Sequence, residues 1–295
     1  MSLVERALKK LQESSRERAS VVPAAVNRPA PAPAVAPPPP PANRIVMPQH
    51  APVSVDRNAL RAAGLLPPEH QERQVADQFR QIKRPLIANA TGRGAKKVAN
   101  GHLIMTASAL PNEGKTFTSI NLALSLAMEK DITVLLVDAD VAKRHLSKIF
   151  GVEKEAGLLD ALKDDALDVE SLVIPTDIPG LSLLPAGNRT DTATELLSSA
   201  HMENTVARLG ASNPNRIVLL DSPPLLLTSE SRALASVVGQ VVVVVCAGRT
   251  PQQAVIDAVG HVPSDKILGF ILNQCDVQAS EGYYYGDGYY GESKD

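Results

Sequence analysis

From His102 to Asn273 the chain alternates short apolar runs with stretches whose apolar residues recur at helical spacing. The runs Leu103–Ala107, Thr133–Val137, Leu181–Leu184, Ile217–Leu220, Val241–Cys246 and Ile267–Leu272 are apolar almost throughout, the pattern of strands covered on both faces. Between them, residues 114–128, 192–209, 229–238 and 251–261 fit helices. This alternation predicts an α/β fold, a mostly parallel sheet flanked by helices on both faces. Upstream, Glu72–Ile87 predicts a helix with Val75, Phe79, Ile82 and Leu86 on one face, which Pro85 ends or bends. Leu3, Val4, Ala7, Leu8 and Leu11 outline a short amphipathic helix opposite Glu5, Arg6, Lys9 and Lys10. It reads either as a weakly formed end-helix or as a docking helix for a partner or an anionic lipid surface.

Val21 to about Pro52 is dominated by Pro and Ala, with an unbroken run at Pro37–Pro41. Such a stretch favours extended polyproline conformation and predicts a semi-rigid spacer. The chain therefore divides into an N-terminal helix (1–20), a linker (21–55), a principal domain (56–280) and a flexible tail (281–295). All five tyrosines, Tyr283, Tyr284, Tyr285, Tyr289 and Tyr290, lie in that tail, among glycines and acids. Tyrosine is ordinarily placed in cores and interfaces. Here the cluster is either an inert Gly/Tyr tract or a set of phosphoacceptors, and the body of the chain must decide which.

The formal net charge of −2 leaves no global basic field, so a nucleic-acid partner is not expected. Cys246 and Cys275 read as reduced, buried thiols, and the six histidines show no metal-ligand spacing. Ser2–Lys10 carries charges throughout and does not resemble a signal peptide. The apolar stretch Val241–Ala247 is far short of the roughly 20 residues of a membrane span. A cytoplasmic location follows, with any membrane link supplied by a partner.

After the first strand comes Ala109-Leu-Pro-Asn-Glu-Gly-Lys-Thr116, leading into a helix. This is the P-loop pattern of a nucleoside triphosphatase fold, with Ala109 in place of the first glycine. Loop and helix N–H groups would wrap phosphates; Lys115 would neutralise them, and Thr116 can ligate Mg²⁺. Pro111, Asn112, Glu113, Gly114 and Phe117 complete the candidate nucleotide-binding stretch. Two further strands end in acids, at Asp138-Ala-Asp140 and at Asp221-Ser-Pro-Pro224. In an open parallel sheet all three motifs meet at the carboxyl edge, where paired acids serve as Mg²⁺ ligands and a base.

These residues resemble the bacterial tyrosine kinases, a P-loop family, and most of all the exosortase (XrtA)-associated tyrosine autokinases of exopolysaccharide loci. The likeness takes in the N-terminal Met-Ser-Leu-Val-Glu-Arg-Ala-Leu-Lys-Lys, Phe79–Leu86, the P-loop, both aspartate motifs, Gly269–Asn273 and the tyrosine tail. It implies ATP and Mg²⁺ as cofactors, with Thr116, Asp138 and Asp221 at the metal and Lys115 at the phosphates. Asp140 would accept the tyrosine proton, and Asn273 would read adenine. Asp77, Arg80 and Lys83 resemble a Glu-x-x-Arg-x-x-Arg motif that joins subunits into rings, with both ends altered. Where the family carries Pro, this chain has Arg144, which either brings a cation towards the phosphates or solvates a helix start.

The implied activity is trans autophosphorylation of the tail, regulating exopolysaccharide synthesis at the inner membrane. The implied partners are further copies of the chain, a membrane chain-length determinant or co-polymerase as activator, and a protein-tyrosine phosphatase. The competing reading is a MinD/ParA-like ATPase switch, which commonly carries a signature lysine early in the P-loop; Leu110 stands there.

Overall fold

Continuous apolar strands are satisfied only with helices on both faces, and the computed structural model, which describes residues 50–94 and 98–275, has that architecture. In chain order the elements are α1 (Arg57–Ala62), α2 (Glu72–Ala90), β1 (Leu103–Ser108), α3 (Lys115–Ala127), β2 (Thr133–Asp138), α4 (His145–Ile149) and α5 (Leu158–Lys163). There follow β3 (Ile174–Pro175), β4 (Leu181–Leu184), α6 (Ala193–Leu197), α7 (Ala200–Ala211), β5 (Arg216–Asp221), α8 (Ser229–Val237), β6 (Gln240–Cys246), α9 (Gln252–Val259) and β7 (Ile267–Asn273). The strands form one sheet in the order β3-β4-β2-β5-β1-β6-β7. All neighbours pair parallel except β3 with β4.

Alternate residues of each strand face opposite sides, so the sheet carries two cores. Leu103, Met105 and Ala107 pack with Leu158, Met202 and Leu234 of α5, α7 and α8 on one side. Ile104, Leu136 and Leu219 pack with Phe79, Ile120 and Leu126 of α2 and α3 on the other.

All six expected strands form, within a residue or so at their ends. Three local readings change. Pro85 does not end α2, which continues to Ala90 because Phe79, Lys83 and Leu86 hold it against α3. Residues 192–209 form two helices, because Ser199 leaves the helical conformation and its hydroxyl caps the Met202 N–H. β3 was too short to register, and its Pro175 is tolerated on an edge strand. Ordered packing also begins before Asp56: Val53 bridges Thr176 and Val55 is buried. Of the two cysteines expected to be buried, Cys246 is, but Cys275, two residues beyond the end of β7, is exposed. The expected N-terminal helix, most of the linker and the tyrosine tail lie outside the described residues.

The buried ring of Phe79 tilts against Phe117, centroids 6.3 Å apart, joining α2 to the helix that follows the P-loop. Phe79→Ala should lower unfolding free energy by about 3 kcal/mol. Urea denaturation measures this, and a loss below about 1 kcal/mol would show that α2 is not anchored there.

Candidate active site

Parallel strands put all their carboxyl ends on one edge, and register decides which of those ends touch. β5 lies between β1 and β2, pairing Asp221 with Thr106 on one side and with Asp138 on the other. Two carboxylates thus stand side by side, with the P-loop leaving β1 one strand away.

The loop runs into α3, a 13-residue helix whose first N–H groups lack helical acceptors, an arrangement that favours an anion at that end. Gly114 is required twice: its φ is +93°, and a Cβ there would lie 2.0 Å from Asn273 Nδ2. Ala109 is accepted in place of the first glycine because its φ is not positive and its methyl is buried in the core.

Lys115, 7% exposed, donates from Nζ to Ser108 Oγ at 3.0 Å. Burial lowers its pKa, while the nearby Asp221 and Asp140 carboxylates oppose the fall. Asp221 accepts from Thr116 Oγ1 (2.8 Å) and Ser119 Oγ (3.0 Å). Burial first, then the Asp138 charge, pushes its pKa up to about 7. Asp138 Oδ2 accepts from the Ser147 N–H (2.7 Å) and Oγ (2.6 Å), yet burial still raises its pKa to about 6. Its Oδ1 is buried without a hydrogen-bond partner. An orphaned carboxylate oxygen beside a second buried carboxylate and a threonine hydroxyl fits a hard divalent cation. No group of three His, Cys, Asp or Glu that could hold a metal occurs among the described residues.

Above these groups opens a cavity of about 370 Å³, lined by Asn112, Gly114, Lys115, Thr116, Asp140 and Asn273 among others. Asp140 reaches it directly, whereas Asp138 and Asp221 lie buried beneath. Asn273 donates from Nδ2 to the Glu113 carbonyl at 3.0 Å, so it touches the loop itself. Pro111 is exposed and does not line the cavity. Phe117 stands in the wall shared with a larger groove of about 850 Å³ beside α2 and β7. The Glu113 side chain turns inward and is 3% exposed: Oε2 accepts the Leu110 N–H at 2.8 Å, and Oε1 accepts the Thr250 hydroxyl.

The oligomer triad is divided. Asp77 and Arg80 are exposed and pair with each other at 2.5 Å. Lys83 is a correction: it is buried, with Nζ 2.7 Å from Glu129 and 2.6 Å from the Ser125 carbonyl. Burial of a lysine demands such internal partners, so it ties α2 to α3. Arg144 adopts φ +52° and donates to the Glu153 carbonyl, which favours the local role over a phosphate contact. The cation that lines the cavity beside it is Lys143.

Ser108, Ser119, Ser147, Arg249 and Thr250 escaped the sequence reading. Ser119 could have been found at helical spacing after Lys115 and Thr116. Arg249 and Thr250 follow β6 at the same carboxyl edge and could have been found from strand polarity. Nothing local marks Ser147.

Residues 111–257 match the AAA domain family. Over 196 residues the chain is 31% identical to the tyrosine-protein kinase CpsD of Streptococcus agalactiae, covering 64% of this chain and 82% of that protein. The chain belongs to the bacterial tyrosine-protein kinases. It is 31% identical over 188 residues to tyrosine-protein kinase ptk of Acinetobacter johnsonii, covering 63% of this chain and 25% of that protein. The chain thus spans about a quarter of the length of that larger relative. The solved kinase domain of VpsO is 30% identical, with a TM-score of 0.57, covering 71% of this chain and all of that domain. No helix among the described residues of this bacterial tyrosine-kinase chain is long and apolar enough to cross a membrane.

When neither metal nor nucleotide is bound to this family member, the raised pKa values of these carboxylates make their ionisation unfavourable for the fold. The folded state holds these protons more tightly than the unfolded chain, whose carboxylates titrate near 3.8. Their stability contribution is therefore greatest at low pH, falls as pH rises through about 6 and about 7, and stays low above. Asp138→Asn should raise the melting temperature in EDTA by roughly 5 °C at pH 8, and by about half that at pH 5. Scanning calorimetry measures this; a gain independent of pH would contradict the assignment.

Proposed function

We propose that this chain is an ATP-dependent protein-tyrosine kinase that phosphorylates its own C-terminal tyrosines, the acceptors coming from a neighbouring copy. The observation that carries the reading is the meeting of Lys115, Thr116 and Asp140 in one cavity above two buried carboxylates. Polyphosphate would lie along the P-loop, with the Lys115 ammonium exchanging Ser108 Oγ for phosphate oxygens. Thr116, Asp138 and Asp221 would hold Mg²⁺, which when bound neutralises charge on the β- and γ-phosphates. The γ-phosphorus–oxygen bond to the ADP leaving group breaks as a bond to the tyrosine oxygen forms. Asp140 takes the phenolic proton, and Asn273, which lines the same cavity, reads the adenine.

The five tyrosines between Tyr283 and Tyr290 follow β7, whose last residue, Asn273, is in the site. Each phosphate adds roughly −1.5 to −2 charge at pH 7. Placed beside Asp287 and Glu292, such charges repel one another and the ATP phosphates, favouring tail release and loosening assembly. The proposed setting is exopolysaccharide synthesis at the inner membrane. A membrane co-polymerase is the proposed activator and a protein-tyrosine phosphatase resets the tail. That role rests on the resemblance to kinases of exopolysaccharide loci. A MinD/ParA-like switch is less well supported, since Leu110 occupies the place of its signature lysine.

Purified protein with ATP and Mg²⁺ should gain phosphotyrosine within the tail, located by tandem mass spectrometry. Lys115→Met should lower the yield at least about 100-fold, because Lys115 is the cation borne by the P-loop itself, whereas Lys143 lies across the cavity on another loop. Phosphotyrosine at the unsubstituted level in that variant would refute the site. Arg80→Glu leaves two like charges on the exposed face of α2. Native mass spectrometry should then find fewer assemblies than in the unsubstituted chain; an unchanged distribution would remove Arg80 from the contact.

A further inference from the structure

A carboxylate within a phosphate-binding loop is electrostatically misplaced unless something turns it away. Glu113 is such a group, three residues before Thr116, and both its oxygens are occupied on the inner side of the loop. The partner from outside the loop is Thr250, just beyond β6. Its hydroxyl donates to Glu113 Oε1 and accepts the Cys246 N–H at 3.0 Å, so its orientation is set by the strand end. Arg249 adds a second hold, donating to the Asn112 carbonyl at 3.3 Å and to Gln274 Oε1 at 2.6 Å. Asn273 adds a third at the Glu113 carbonyl. Residues 112 and 113 are thus gripped from the ends of β6 and β7, where a glycine-rich loop would depend on its own backbone.

Resting on the nucleotide-site reading above, we infer that Thr250 is a positioning residue for phosphate binding. By holding the Glu113 carboxylate inward, it fixes the loop and removes a negative charge from the path of the polyphosphate. Arg249 shares the task through Asn112. Neither residue touches the reacting atoms; they act through the loop.

Isothermal titration calorimetry of the full chain with ADP and Mg²⁺ tests this without depending on turnover. Thr250→Val should weaken ADP binding about tenfold, and Thr250→Ser should restore it to within about twofold. Glu113→Gln added to Thr250→Val should recover about threefold or more, because the repelling charge is gone, with no matching recovery in melting temperature. A merely structural role would move both quantities together. ADP binding by Thr250→Val within about twofold of the unsubstituted chain, or no recovery in the double variant, would overturn the inference. Thr250→Ala replaces Thr250→Val should the latter fail to fold. Failure of the unsubstituted chain to bind ADP would instead overturn the nucleotide-site reading itself.

Discussion

The register of three parallel strands, β1, β5 and β2, is the constraint on which the remainder of this protein depends. Parallel pairing sets Asp221 opposite Asp138 and opposite Thr106, one layer below the loop that follows β1. Two adjacent carboxylates inside a low-dielectric sheet edge are costly. The surroundings of the site read as the answer to that cost. Ser147 gives two donors to Asp138, Thr116 and Ser119 each give one to Asp221, and the buried Lys115 ammonium supplies the opposing charge. The compensation is incomplete, since Asp138 Oδ1 has no hydrogen-bond partner. Under the proposed function, a cation arriving with its attendant phosphates would supply what that compensation leaves out. A fully satisfied pair would have less to gain from one.

The same edge governs the P-loop. Its Ala109 closes without a glycine's freedom, because Gly114 alone in the 109–116 stretch combines a left-handed conformation with a place where a Cβ cannot fit. Asn112 also takes positive φ, as asparagine tolerates better than most residues. The loop is then held from outside by side chains beyond β6 and β7. Catalytic geometry and sheet topology are therefore one problem: β7 must pair with β6 for Asn273 to reach the loop. On the opposite side, α2 buries Phe79, Lys83 and Leu86 against α3 while leaving Asp77 and Arg80 to solvent. One helix thus supports the phosphate-binding helix and presents an exposed charged pair.

Much of this was legible from the chain itself. Continuous apolar runs identified six strands because burial on both faces leaves no polar alternation. The Gly-Lys-Thr turn and the two strand-end aspartates were legible because phosphate and cation chemistry demands those groups at those places. Local propensity was a weaker guide. Pro85 was expected to end or bend α2, yet the helix runs past it to Ala90, held by contacts with α3; Ser199 divided a stretch whose apolar spacing suggested one helix. Lys83 matched a surface motif, and its burial could be known only once α3 and Glu129 stood beside it.

The sequence by itself determined the class of fold, the order of its strands along the chain and the chemical groups from which the site is built. Those follow from hydrophobic periodicity and from residue types that few other roles require in that spacing. Only the tertiary structure decided which groups meet. It placed Asp138 and Asp221 beneath the cavity and Asp140 in its wall, turned Glu113 inward, and brought Thr250 to meet it across 137 positions of sequence. The physical reason is that a side chain's charge state, partners and reach are set by neighbours on other strands, and strand order is not written in any local pattern.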